Sequence, residues 1–468
     1  MATTRLTKTF SSAGTRTKYT ISVWVKRSQL GEALAIMGAG TSSNNYDVIS
    51  FDSSDHLYWH GYSNNGANFD YNLITTRKFR DTSGWLHIVC AFDSTQGTSS
   101  NRQKIYINGV QETAFSTETY SSVNYAGYFF NNIAHGIGTD IGNGTKYFNG
   151  LMSHFHGVDG TAYAASTFGS TDSTTGEWKI NTSPSITMGT NGFTILKDGN
   201  TITDQSSNSN DFTLGGGTLT KTEDSPSNVF NVWNRNFLTR HHNESTSVPG
   251  MLQNGNTTFN STANAFFGYK AGTLGATSGK WYWECKIIDN GRFYAGICMP
   301  NVVQGINTPW YDSTTYSAIA TNYNGAVTGR FVSGSTYDEY ASGNSLPNNT
   351  IVGFALDMDN QAFYIHKNGT YFASGDPTSG SSRTGSVIEQ TGFQSNVRAN
   401  YLGTGDFVSP FVGDPSSSGT HHSEFNFGNG YFGTSAVSSA GTNASGIGIF
   451  EYDVPTGYTA LSTKGLNL

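Results

Sequence analysis

Cysteine, proline and charged side chains are all scarce in this chain of 468 residues. Its 3 cysteines cannot build a disulfide framework, and we expect Cys285 and Cys298, predicted on neighbouring strands, to be buried thiols. Charged residues make up 13% of the sequence, where about 25% is usual. Because affinity for nucleic acids comes from clustered lysine and arginine, this composition argues against a nucleic-acid partner.

Long apolar runs are also missing from the sequence. No stretch approaches the roughly 18 apolar residues of a membrane helix, so we expect no insertion into a membrane. Residues 1–12, MATTRLTKTFSS, lack the apolar core of a cleaved secretory signal. The sequence therefore predicts synthesis in a reducing cytoplasm.

Glycine and aromatic residues are abundant instead, at 56 glycines and 13% Phe, Trp and Tyr. Short alternating runs, such as residues 20–25 and 363–365, carry the β-branched and aromatic residues that favour strands. Asn-Gly and Asp-Gly pairs recur between the runs, and these residues tolerate the positive φ angles of tight hairpins. The pattern predicts an all-β protein with under about 10% helix.

A polar, turn-forming stretch over residues 221–228, KTEDSPSN, divides the chain. Placing the boundary at Pro226 gives two halves that are both mildly acidic. We predict two domains, residues 1–225 and residues 226–468, each an antiparallel β-sandwich, in tandem.

Motifs of the first half resemble those of the laminin-G/concanavalin-like sandwich. YTISVWVKR at residues 19–27 resembles its opening strand, and GWLHIVCAF at 84–92 followed by KIYING at 104–109 resembles its central pair. FNGLMSHFH at 148–156 is similar to its closing strand. The resemblance covers roughly residues 1–165 and implies a jelly-roll sandwich, followed by an extension up to residue 225.

Motifs of the second half resemble a SPRY domain. SGKWYWECKI at residues 278–287 is similar to an early SPRY strand, and VGFALDMDN at 352–360 with FYIHKNG at 363–369 is similar to the core hairpin. The resemblance covers about residues 260–435 and implies a SPRY-like sandwich with a short tail.

The tandem resembles virion surface proteins of marine tailed bacteriophages: fibre, tip or capsid-decorating proteins. It implies a place on the virion surface, other virion proteins as partners, and a homo-oligomer such as a trimer. We expect a protein that is not an enzyme and that attaches to the host by binding cell-surface glycan through loops. The alternatives are a purely structural capsid or tail decoration protein and a polysaccharide depolymerase, which would need paired carboxylates in a cleft.

Large rings in Gly- and Asn-rich sequence are the candidate ligand-binding residues: Trp59, Tyr62, Trp310 and Tyr311. Aromatic faces stack on sugar rings or anchor protein contacts, and we expect these rings in loops. The alternative is that they pack in the core or between subunits.

Two polar clusters are candidate metal ligands. Asp52 and Asp55, in FDSSDH, offer the oxygen ligands that Ca²⁺ prefers, and laminin-G-like domains sometimes carry such a site at a loop rim; the alternative is a solvated turn. His154 and His156 would share one face of a strand, as two ligands of a transition metal do. Our expectation is that no cofactor is bound, with Ca²⁺ as the alternative.

Overall fold

The computed structural model describes residues 3–63, 69–197, 201–237, 251–261, 269–289, 293–300, 317–323, 326–331, 346–386, 407–413 and 420–467. The chain divides into two compact units, Met1–Lys221 with Ser225–Ser227 and Thr222–Asp224 with Asn228–Leu468. That each unit folds as an independent domain stays a prediction.

Within its described residues, the first unit contains sixteen strands and two short 3-10 helices, Ser99–Asn101 and Ala165–Thr167. The strands are β1 (Arg5–Thr9), β2 (Lys18–Arg27), β3 (Leu34–Ser42), β4 (Asn45–Phe51), β5 (His56–Tyr62), β6 (Phe69–Lys78), β7 (Leu86–Asp93), β8 (Gln103–Ile107), β9 (Val110–Gln111), β10 (Phe115–Thr119), β11 (Ala134–Ile137), β12 (Gly150–Asp159), β13 (Gly169–Thr171), β14 (Trp178–Ile180), β15 (Phe193–Ile195) and β16 (Thr213–Gly216).

Two antiparallel sheets form the sandwich of the first unit. The first sheet has the order β10-β6-β5-β4-β3-β11-β1-β16, and the second has the order β15-β12-β2-β7-β8-β9. Leu57 and Leu73 of the first sheet share one apolar core with Ile21, Ile88 and Ile105 of the second. Each sheet therefore has an inner face, which is buried against the other sheet, and an outer face.

Turn chemistry explains the local hairpins. Asn108 and Gly109 between β8 and β9 both have positive φ, at 47° and 83°. Asn368 and Gly369 repeat this geometry in the second unit, at 47° and 82°. The hairpins predicted from these Asn-Gly pairs are present, because two consecutive positive φ angles give the twist that joins antiparallel strands.

In the part of the second unit that the structure describes, there are fifteen strands and short 3-10 helices at Phe372–Ser374, Gly380–Ser382 and Gly465–Asn467. The strands are β17 (Leu252–Gln253), β18 (Thr258–Ser261), β19 (Tyr269–Ala271), β20 (Lys280–Asp289), β21 (Phe293–Cys298), β22 (Ser317–Tyr323), β23 (Ala326–Phe331), β24 (Ile351–Asp357), β25 (Ala362–Lys367), β26 (Thr370–Tyr371), β27 (Ser409–Gly413), β28 (His421–Asn426), β29 (Tyr431–Phe432), β30 (Ser435–Ala436) and β31 (Thr459–Ala460).

The second unit is also an antiparallel sandwich. One sheet runs β17-β18-β28-β20-β24-β25-β26, with β31 pairing in parallel to β20, and the other runs β19-β27-β21-β22-β23. Trp283 and Phe354 of the former share a core with Ile297 and Val412 of the latter. The prediction of an all-β chain with tandem antiparallel sandwiches is confirmed.

The C-terminal tail covers part of the outer face of β20. The buried carboxylate of Glu284 accepts the backbone N–H groups of Glu451 and Tyr452, at 2.9 and 2.8 Å. The hydroxyl of Tyr282 donates to the same carboxylate at 3.0 Å. These bonds hold the tail against the sheet.

The thiols are free and buried, as expected. The prediction that Cys285 and Cys298 lie on neighbouring strands is wrong. Cys285 is in β20 and Cys298 in β21, and these strands belong to different sheets of the second sandwich.

Candidate functional site

Strand β5 places rings on both faces of the first sheet. Leu57 and Trp59 point into the core, and the alternation of a strand turns Tyr58, His60 and Tyr62 to the outer face. The sequence LYWHGY is thus aromatic on both sides.

Trp59 does not lie in a loop, so that expectation is wrong. Its side chain has 0% exposure, and its ring packs edge-on against Tyr19, Tyr71 and Phe92, with centroids 5.8–6.5 Å away. The physical reason is its position in a strand, between two neighbours whose side chains point the other way.

The outer side chains form an aromatic face, consisting of Tyr46 on β4, Tyr58, His60 and Tyr62 on β5, and Phe69 on β6. The rings of Tyr58 and His60 stack with centroids 4.0 Å apart, and those of Tyr62 and Phe69 lie 4.1 Å apart. Tyr58, Tyr62 and Phe69 are half-buried, so part of each ring is open to solvent. The register pairs Tyr46 with Tyr62, which extends the face across β4.

His60 is the buried centre of the aromatic face. Its Nε2 lies 3.2 Å from the Tyr46 hydroxyl. Burial, with the positive charge of Lys146 as a second cause, lowers the pKa of His60 to about 3. Burial also raises the pKa of Tyr46 to about 12, with the charge of Asp140 as a second cause. The rings are therefore uncharged at neutral pH.

A polar loop over residues 139–146 forms one rim of the aromatic face. Within it, the carboxylate of Asp140 accepts bonds from Asn143 at 2.8 Å and from Lys146 at 3.1 Å. A Cβ at Gly38 of β3 would meet the backbone of residues 139–141 at 3.0–3.2 Å. A glycine at this position allows the loop to lie directly on the sheet.

The four sequence-predicted rings therefore have different outcomes. Tyr62 is also in strand β5 and not in a loop; it belongs to the aromatic face, whereas Trp59 belongs to the core. Trp310 and Tyr311 lie outside the described residues. Sequence reasoning missed Tyr58 and His60 as members of this face, although the alternation of LYWHGY carries the signal that would have found them.

The structure does not bring Asp52 and Asp55 together as a Ca²⁺ ligand pair. Asp55 is buried and accepts bonds from Arg27 Nη2 at 3.0 Å and Arg80 Nε at 3.1 Å. Asp52 accepts the backbone N–H groups of Ser54 and His56, at 2.8 and 2.9 Å. The alternative interpretation of Asp52, a turn, fits these bonds.

His154 and His156 do not share a face as predicted. The register of β12 against β2 shifts between Ser153 and His156, and His154 has a positive φ of 47°. This bulge breaks the alternation. Over the described parts of the chain, no group of three or more His, Cys, Asp or Glu side chains could hold a metal ion, and no helix could cross a membrane.

A serine and a histidine meet on the outer face of the second sheet. Ser22 Oγ lies 2.9 Å from His87 Nε2, the geometry of a nucleophile and its base. Trp178 Nε1, however, donates to His87 Nδ1 at 3.0 Å, and burial lowers the pKa of His87 to about 3. The neutral ring therefore carries its proton on Nε2 and cannot take one from Ser22.

The first unit thus has the fold of the concanavalin-like lectins, with an aromatic outer face. A sequence profile of the concanavalin A-like lectin/glucanases superfamily matches residues 5–162. No curated protein matches the chain.

Several solved structures are similar to parts of the chain. The SPRY domain of human HERC1 is 14% identical, over 36% of this chain and 87% of that one, with a TM-score of 0.25. Domain 4 of AbnA, an extracellular arabinanase from Geobacillus stearothermophilus in complex with arabinotriose, is 21% identical, over 34% and 67%, with a TM-score of 0.26. A SAP-like pentraxin from Limulus polyphemus is 16% identical, over 35% and 72%, with a TM-score of 0.26.

Proposed function

We propose that the chain is a non-catalytic glycan-binding protein and that the aromatic face is its binding surface. The observation that carries the proposal is the row of partly open rings on the outer faces of β4, β5 and β6. Stacked rings offer flat apolar area of the kind that packs against the C–H face of a sugar. The match to a lectin and glucanase superfamily over residues 5–162 supports the same class of ligand.

The polar rim complements the rings of the aromatic face. Lys146 and Asn143 lie on the loop beside the face, where they can hydrogen-bond to sugar hydroxyls. The buried, neutral His60 adds no charge beneath a bound sugar. A site of apolar rings with a few fixed polar groups is the usual composition of a small-ligand site.

For its biological setting, we propose that the chain is a fibre, tip or decoration protein on a bacteriophage surface. It would be made in the bacterial cytoplasm and assembled with other virion proteins. This part rests on the resemblance of the tandem motifs. In that setting, several copies on one particle would raise weak glycan affinity to useful avidity.

The test is a glycan array of bacterial surface polysaccharides, followed by calorimetry on each glycan that binds. Tyr58→Ala is expected to lower affinity by roughly 10-fold or more. Tyr431→Ala, a half-buried tyrosine of β29 in the second unit, is the matched control and should bind normally. An array without binding, or equal loss in both variants, would contradict the proposal and favour a purely structural decoration protein. Release of reducing ends from a bound polysaccharide would instead favour a depolymerase.

A further inference from the structure

A second cleft lies on the opposite side of the first sandwich from the aromatic face. It has a volume of about 360 Å³ and opens on the outer face of the second sheet, between β7, β8 and residues 162–164. Its lining includes Ala91, Asn101, Lys104, Tyr106 and Tyr163.

Strand alternation creates the floor of this cleft. Cys90 and Ile105 point into the core, so Ala91 and Lys104, which are register partners, point outward. Tyr106 follows on the same side of β8. The small side chain of Ala91 leaves room between the larger neighbours.

Tyr163, which lines the cleft opposite β7 and β8, is held in place by hydrogen bonds. The backbone N–H of Tyr163 donates to Thr20 Oγ1 at 2.7 Å, and the Tyr163 hydroxyl accepts the N–H of Thr187 at 3.0 Å. The half-buried Tyr106 packs on the same apolar cluster as Tyr163. A ligand would therefore meet one ring that is already held by hydrogen bonds, Tyr163, and a second ring, Tyr106, that packs on the same cluster.

The two charged side chains that line the cleft, Asp93 and Lys104, differ in whether they already have bonding partners. The carboxylate of Asp93 is occupied by Lys18 at 3.1 Å, by the Gln96 amide at 2.8 Å and by the hydroxyl and N–H of Thr95. Within the described residues, neither the ammonium of Lys104 nor the side-chain amide of Asn101 has a hydrogen-bond or ion-pair partner. The groups that remain for a ligand are one cation, one amide and two rings.

We propose that this cleft binds a single sugar residue that carries a carboxylate, as a hexuronic acid does. The sugar ring would pack against Tyr106 and Tyr163, and the carboxylate would accept bonds from Lys104 and Asn101. The volume is at the small end of the range for small-molecule sites, about 300–1,000 Å³, which suits one sugar residue. This site is independent of the glycan-binding proposal for the aromatic face.

Alanine methyl groups give a direct readout for each site. Ala91, Ala162 and Ala164 line the cleft, whereas Ala35 packs beneath the aromatic face. In the full-length protein with ¹³C-methyl alanine, titration with methyl glucuronide should shift the first three resonances and leave Ala35 unchanged. Methyl glucoside and acetate, which lack the carboxylate and the sugar ring respectively, should bind at least about 10-fold more weakly.

The decisive variant is Lys104→Gln, which should lower methyl glucuronide affinity by about 10-fold or more. Lys78→Gln, an exposed lysine of β6 on the first sheet, is the matched control and should bind as wild type. Melting temperatures of both variants verify that they are folded. The proposal is overturned if methyl glucuronide leaves the three alanine resonances unmoved, if Lys104→Gln binds normally, or if acetate or methyl glucoside binds equally well. A shift of the Ala35 resonance alone would show that the ligand binds at the aromatic face, and this result would also overturn the proposal.

Discussion

Trp178 donates its indole N–H to Nδ1 of His87, 91 residues away in the chain. The two rings are also nearly parallel, with an interplanar angle of 16°. This bond fixes the tautomer of the buried His87, with the proton on Nε2. His87 therefore cannot act as a base toward Ser22, and their contact is structural. The bond from Trp178 also fastens the extension around β14 to the outer face of the second sheet.

Replacing Trp178 by Phe keeps an aromatic ring but removes the N–H donor. The buried Nδ1 of His87 would then lack its partner, so the free energy of unfolding should fall by about 1–3 kcal/mol. Urea denaturation of the full chain measures the change. Unchanged stability would mean that the bond contributes nothing and that the extension is held by ring packing alone.

A buried ion pair offers a second test. The side chains of Arg27 and Asp55 are 2% and 5% exposed and lie 3.0 Å apart. Asp55→Asn leaves Arg27 with an uncompensated buried charge, which typically costs about 3–5 kcal/mol. The matched control is Asp172→Asn at the open pair with Lys179, where solvent screens the interaction and stability should hardly change. Equal melting temperatures for the two variants would contradict the burial of Arg27.

The two adjacent rings of β5 should behave differently on truncation. Trp59→Ala opens a cavity in the core and should destabilise the protein by about 3–5 kcal/mol. Tyr58→Ala removes a partly solvated ring from the outer face and should destabilise it clearly less. Thermal unfolding of both variants tests which ring is in the core. A larger loss of stability for Tyr58→Ala than for Trp59→Ala would mean that Tyr58, not Trp59, faces the core.

Buried neutral histidines predict acid sensitivity. Burial lowers the pKa to between about 3 and about 4 for His60, His87, His135, His156, His366 and His421. Unfolding restores a pKa near 6.5, so the unfolded chain binds more protons below that pH. Each histidine therefore destabilises the fold by about 1.4 kcal/mol for every pH unit between about 6.5 and its pKa in the folded state.

Two buried carboxyl groups act in the opposite direction. Burial raises the pKa of Asp47 and of Glu284 to about 7, so their contribution to stability falls as the pH rises from about 4 to about 7. Because the histidines outnumber them, the melting temperature should drop by at least about 5 °C between pH of about 7 and about 5. A profile that is flat, or that rises toward acid, would contradict the buried state of the histidines.

Much of the fold could be predicted because its signals are local. Alternation with a period of two and Asn-Gly turns identified strands and hairpins, including the one closed by Asn108 and Gly109. The prediction that Cys285 and Cys298 lie on neighbouring strands was wrong for the same reason, since local signals do not reveal that β20 and β21 belong to different sheets.

The sequence by itself determined that the chain would form β-strands and where many of them would turn, because pleating and turn geometry depend on adjacent residues. Only the tertiary structure decided which side of LYWHGY is buried, since both sides are aromatic and burial depends on what packs against each face. It likewise decided that Asp55 meets Arg27 and that Trp178 meets His87. Such partners are brought together by the pairing of strands in a sheet and by the packing of one layer on the next. The spacing of residues along the chain predicts neither the pairing nor the packing.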